Sequence, residues 1–140
     1  MIKRHDPDGA SSEQAASPEQ TASSEQAVRE IIMHHLGSFR DNDLEAVVSD
    51  YTSESVLITQ HATYSGPEEI KAFFAGLMLH FPKQASAFQL DKLVVADGLA
   101  YIVWHANTPS LNVSMGTDTF ILKEGKIHRQ TFAGEMRGIV

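Results

Sequence analysis

Residues 87–133 read AFQLDKLVVADGLAYIVWHANTPSLNVSMGTDTFILKEGKIHRQTFA, a series of β-rich runs broken by short turns. Asp97-Gly98 and Glu124-Gly125 are dipeptides that accept the left-handed backbone of a two-residue hairpin turn. They divide the stretch into four expected antiparallel strands over 87–96, 99–107, 112–123 and 126–133. Side chains alternate across a strand, so Ile102, Trp104 and Ala106 share one face and Tyr101, Val103 and His105 the other. By the same rule Asp118, Phe120 and Leu122 point inward, while Thr117, Thr119 and Ile121 point outward.

Upstream the period changes from two to about three and a half. Ser65-Gly66-Pro67-Glu68 is a helix start with proline well placed, and Ile70, Phe73, Phe74, Leu77, Met78 and Phe81 follow at helical spacing until Pro82 ends the run. Residues 54–60, ESVLITQ, are β-branched and read as a strand with 62–64 as its hairpin partner. Before them, Asn42-x-x-Glu45 is expected to cap a short helix whose stripe is Leu44, Val47, Val48 and Tyr51. A longer helix carries Val28, Ile31, Ile32, His35 and Phe39 on one stripe. His34 lies about 100° around the helix from His35 and is expected to face outward. Two starts are open to this helix: Ser17-Pro18 with Gln20, or Ser23 with Gln26. Residues 1–17 are rich in Ser, Glu, Gln and Ala, and SSEQA occurs at Ser11 and again at Ser23. Such a segment buries too little to offset its ordering entropy, so 1–17 is expected to be a disordered tail before one domain over 18–140.

The 140 residues suffice for one domain with a real core, 42% of them being apolar. A net charge of −7 argues against a nucleic-acid partner and against docking on an anionic membrane. The chain has no cysteine, which removes disulfides, thiolate nucleophiles and cysteine zinc sites. It has no run of 18 apolar residues and no apolar stretch behind Met1-Ile2-Lys3-Arg4, so a soluble cytoplasmic protein is expected. None of the seven histidines stands at metal-ligand spacing from another ligand type, and neither a metal nor another cofactor is expected. Three helices interleaved with a short hairpin, then four long strands, make an α+β domain. Its curved antiparallel sheet would enclose a cavity against the helices.

Four segments carry a family resemblance: NDLEAVVSDYTSES, YSGPEEIKAFFAGL, LAYIVWHA and GTDTFILKEGKIHRQTF. In this order and spacing the chain resembles the nuclear transport factor 2 superfamily, in its ketosteroid isomerase-like and SnoaL-like branch, over roughly residues 25–136. The resemblance implies a cone-shaped curved sheet wrapped around three N-terminal helices, a cystatin-like roll. It implies a cytoplasmic homodimer that pairs through the convex sheet face and a pocket for a small hydrophobic molecule. It also implies proton-transfer chemistry: isomerisation, cyclisation or dehydration. The alternative is a non-catalytic ligand-binding or dimerisation domain of the same fold.

Residue by residue, Asp118 falls where the isomerases keep a hydrogen-bonding aspartic acid and His35 where they keep a tyrosine of the first helix; in those isomerases the aspartic acid is held neutral by its apolar site. These two are the candidate catalytic residues. The usual base position falls at or near Thr59, which carries no carboxylate. The SnoaL-type aspartate of the last strand is replaced within Phe132-Ala133-Gly134. Candidate ligand-binding residues are Tyr51, Thr59, His61, Phe74, Trp104 and Phe120. His35 is read either as a cavity group that moves a proton or as a core histidine, and Asp118 either as a pocket acid or as a strand-end carboxylate. His61 is read as a substitute base or as a loop histidine. If His35 and Asp118 meet, the titration of the histidine should depend on residue 118.

Overall fold

Helix α1 (Pro18–Arg40) opens the part of the chain that the computed structural model describes, residues 18–138. The tail expected over 1–17 lies outside those residues. α1 includes Pro18, the earlier of its two possible starts. Val28, Ile32, His35, Leu36 and Phe39 form its buried stripe. At its end Asn42 takes a left-handed φ of 60°, a conformation that asparagine tolerates. Its side-chain amide donates to the carbonyls of Met78 (3.3 Å) and Phe81 (2.9 Å). Asn42 therefore ties α1 to the end of a later helix instead of capping the next one. The cap of α2 (Leu44–Val48) is Asp43, whose carboxylate accepts from the Ala46 N–H at 3.1 Å.

Strand β1 (Tyr51–Thr59) begins three residues earlier than expected, β2 (Thr63–Ser65) returns beside it, and α3 (Gly66–Met78) follows. α3 ends before Pro82, because Leu79, His80 and Phe81 close in i→i−3 turns onto Gly76, Leu77 and Met78. The four long strands are β3 (Ala87–Ala96), β4 (Leu99–Asn107), β5 (Leu111–Lys123) and β6 (Lys126–Gly138). Both predicted hairpin turns form, with positive φ at Asp97, Gly98, Glu124 and Gly125. β6 runs five residues past its expected end and pairs with β5 as far as Leu111↔Gly138.

The sheet order is β2-β1-β6-β5-β4-β3. The expected all-antiparallel sheet is corrected in one place: β1 and β6 are parallel. Between Tyr51 and Val56 their register shifts, and the Ser55 hydroxyl fills the gap by donating to the Ile127 carbonyl at 2.5 Å. The fold is thus α+β with a curved, unclosed, mixed sheet. α1 packs on β3 and β4, and α3 on β1 and β2. Ile32, Leu57, Ile70 and Phe120 are fully buried where these layers meet, each stabilising the fold by about 1.5–3 kcal/mol. Among the described residues no helix is long and apolar enough to cross a membrane.

Candidate functional site

The two helices cover different halves of the sheet, and a small cavity, open at its mouth, lies between them. α1 supplies His35, Leu36 and Phe39 to its wall; α3 supplies Phe73, Phe74 and Leu77. The concave sheet face supplies Phe88, Ile102 and Trp104, then Asp118, Phe120, Gln130 and Phe132. The wall is therefore apolar apart from a few convergent polar groups, the usual composition of a small-molecule site.

Trp104 is the central plate of the sheet wall. Its indole stacks between Phe88 (centroids 5.2 Å apart, planes at 26°) and Phe132 (5.9 Å, 16°). It lies flat on Gly116, its partner across the β4–β5 ladder, where a Cβ would come within 2.5 Å of the ring. This position needs glycine because the indole approaches the backbone too closely for any side chain.

That placement aims the indole N–H at Asp118. Trp104 Nε1 donates to Oδ1 at 2.8 Å, and Gln130 Nε2 donates to Oδ2 at 2.8 Å. Gln130 Oε1 in turn accepts from the Tyr51 hydroxyl. Burial pushes the Asp118 carboxyl up to about 6, against the opposing pull of these two hydrogen bonds and of His35. Burial, with Asp118 and Asp50 nearby, also holds the Tyr51 hydroxyl well above its usual range. When Asp118 is protonated, both its oxygens still face donors, so its own O–H is left to a group in the cavity.

His35 stands edge-on to Tyr51, Phe74 and Phe120, with centroids 5.6–5.7 Å away. Its Nδ1 is enclosed and has no hydrogen-bond partner among the described residues. Asp50 Oδ2 lies 3.6 Å from it. His35 and Asp118 line the same cavity, yet Asp118 is held by Trp104 and Gln130; the described ion pair of His35 is with Asp50.

Of the sequence candidates, His35, Phe74, Trp104, Asp118 and Phe120 line the cavity together. Tyr51 sits behind the wall and reaches it through Gln130. Thr59 and His61 do not line it. The Thr59 hydroxyl is consumed by its own turn, accepting from the N–H groups of His61 and Ala62 at 3.1 Å, and the His61 side chain is exposed. Gln130 and Asp50 were not among the candidates. Asp50 lies between the short helix and β1, next to Tyr51. Gln130 had no usable signal, for reasons of register taken up below.

No family model and no curated protein matches the sequence. Solved structures do match. SalBIII, an epoxide hydrolase/cyclase-like enzyme with a role in pyran ring formation in the polyether salinomycin, is similar at TM-score 0.70 and 15% identity. The match covers 82% of this chain and 98% of that one. An NTF2-like protein of unknown function from Cytophaga hutchinsonii is similar at TM-score 0.63 and 8% identity, covering 77% and 89%. A candidate polyketide cyclase from Sinorhizobium meliloti is similar at TM-score 0.62 and 19% identity, covering 74% and 93%. The fold of this chain is the nuclear transport factor 2-like fold.

Proposed function

We propose that this nuclear transport factor 2-like domain binds a small hydrophobic molecule in the cavity and moves a proton on it. The observation that carries the reading is Asp118. It is a buried carboxyl in an apolar wall, pushed up to about 6, with His35 lining the same cavity. A group poised near neutrality in an apolar site exchanges a proton at little cost. His35 takes a proton from a carbon or oxygen of the ligand. Neutral Asp118 donates to the oxygen on which negative charge collects. Isomerisation, cyclisation and dehydration all pass through such an oxygen. The ring-forming role of SalBIII, on the same fold, supports this class.

One observation favours a second reading, a binding domain without catalysis. Both oxygens of Asp118 already have donors, as in a structurally satisfied buried acid. Proton exchange on a bicyclic ketone, 2-tetralone, separates the two. In D2O the protein is expected to speed loss of the α-proton NMR signals. H35A and D118N should each abolish that acceleration while 2-tetralone still binds. Binding without accelerated exchange would establish the second reading.

The homodimer belongs to the same proposal. Ile58, Val94, Leu99 and Ile121 are each 37–45% exposed on the convex sheet face, with Thr117 and Thr119 half-buried among them. An apolar face of this kind suits a two-fold, self-complementary contact. Light scattering at micromolar concentration should give twice the chain mass, and an Ile121→Lys variant should return a monomer. A monomeric wild type would refute the dimer and leave the cavity reading intact.

A further inference from the structure

Two histidines adjacent in sequence converge on one carboxylate. Asp50 lies at the α2–β1 junction, fixed there because its carbonyl accepts from the Ile127 N–H at 2.8 Å. Its oxygens are 3.0 and 3.1 Å from His34 Nδ1, and Oδ2 is 3.6 Å from His35 Nδ1. The three side chains span the protein wall. His34 is 50% exposed, Asp50 12% and His35 4%, and His35 lines the cavity. A path of two titratable neighbours therefore leads from solvent to the cavity. Its inner end is an enclosed nitrogen with no partner among the described residues. Such a nitrogen calls for an explanation, and the acceptor that would satisfy it is just out of range.

We propose that Asp50 is the positioning residue of His35 and that His34 competes for it. Deepening the reading of the cavity given above, this inference rests on His35 being its proton acceptor. When Asp50 turns to His35, it accepts the Nδ1–H and fixes the neutral ring in that tautomer. The lone pair of Nε2, on the far side of the ring, then faces the cavity. A proton leaves a ligand O–H or C–H for Nε2, and the electron pair of the broken bond stays on the ligand. The imidazolium so formed lies against the Asp50 side chain. When His34 holds both oxygens, as in the present geometry, His35 is left without its partner. The other titratable groups around His35 are Tyr51 from β1 and Asp118 from β5.

The test needs no natural ligand. Side-chain 15N shifts of His35 report its tautomer directly, and bound 2-naphthol, whose emission distinguishes naphthol from naphtholate, reports proton transfer. At a single pH near 6, both forms of Asp118 are populated. Wild type should then show a substantial Nδ1–H fraction at His35, and H34A a larger one. D50N should lose it, and its bound naphtholate fraction should fall about tenfold, one pH unit's worth of differential interaction. H34A should raise that fraction. An unchanged tautomer and naphtholate fraction in D50N, with naphthol still bound, would overturn the dyad and leave the cavity reading standing. If wild type fails to bind naphthol, the cavity reading fails instead, and the tautomers still decide the dyad. Should D50N not fold, an Nε2–H ring in both wild type and H34A overturns it.

Discussion

Replacing Gly116 with alanine is expected to destabilise the domain by about 4 kcal/mol and to release the only tryptophan from its slot. The added Cβ would stand 2.5 Å from Trp104 Cε2, 2.6 Å from Cζ2 and 2.9 Å from Nε1. A flexible side chain could yield, but this ring is clamped between Phe88 and Phe132. It can leave only by breaking its bond to Asp118. Overpacking a close-packed core costs about 1–3 kcal/mol. Losing a hydrogen bond to a charged group costs about 1.5–3 kcal/mol more. Because the chain has a single tryptophan, its emission reads the event without ambiguity. The expected result is a red shift on entry to water, a lower melting temperature and loss of 2-naphthol binding. Unchanged emission and stability would mean that the indole does not lie against Gly116 and that the wall of the cavity is arranged differently.

Gly116 also marks where the sequence stops being legible. The strands, the two hairpin turns and the inward face of β5 follow from alternation and turn chemistry, so Trp104, Asp118 and Phe120 were readable as one surface. His35 was readable from its helix stripe. Gln130 was not. Counting back from the Glu124-Gly125 turn in simple register puts Asp118 opposite Thr131 and faces Arg129 inward. The shift between Ile121 and Leu122 adds a residue to β6, so Asp118 meets Phe132 and Phe120 meets Gln130. One bulge thus reverses which side chains of β6 enter the cavity, and no local sequence signal announces it. The parallel pairing of β1 with β6 was hidden for a related reason: a contact between strands some seventy residues apart leaves no periodic trace in either. Thr59 and His61 were assigned to the cavity by analogy of position alone. Neither lines the cavity: the Thr59 hydroxyl accepts from two backbone N–H groups of its turn, and the His61 side chain is exposed. Whether His35 and Asp118 meet was open in the sequence, and in the structure each has another neighbour. Each was read correctly as inward-facing, but their partners, Asp50 and Gln130, come from segments that alternation could not register against them.

Asp118→Asn is expected to change stability by an amount that depends on pH, gaining on wild type as pH rises. The carboxyl is pushed from 3.8 to about 6 by burial. Below both values the folded and unfolded chains carry the proton alike. Between them the folded chain keeps the proton and the unfolded chain has lost it, so the unfolded state binds fewer protons and stability falls as pH rises. Above about 6 both are ionised and the full cost of a buried charge persists. At 1.36 kcal/mol per unit, the shift corresponds to about 3 kcal/mol. Asparagine does not titrate. The stability of the variant minus that of wild type should therefore rise by about 2.4 kcal/mol between pH 4 and pH 7, whatever its starting value, because at pH 4 the unfolded carboxyl is already half ionised. Urea unfolding at both pH values, at one protein concentration so that association does not enter, measures that difference. A flat difference would mean that the carboxyl is not perturbed and that its two donors simply satisfy an ordinary buried acid. A sloped one means that the fold carries an ionised carboxylate at neutral pH in a wall where an apolar residue would be cheaper. It surrounds that group with an indole slot open only over glycine and with a glutamine brought inward only by a bulge. Neither device is needed for a scaffold core. Both hold a carboxyl that exchanges its proton near pH 6 at the surface of a cavity.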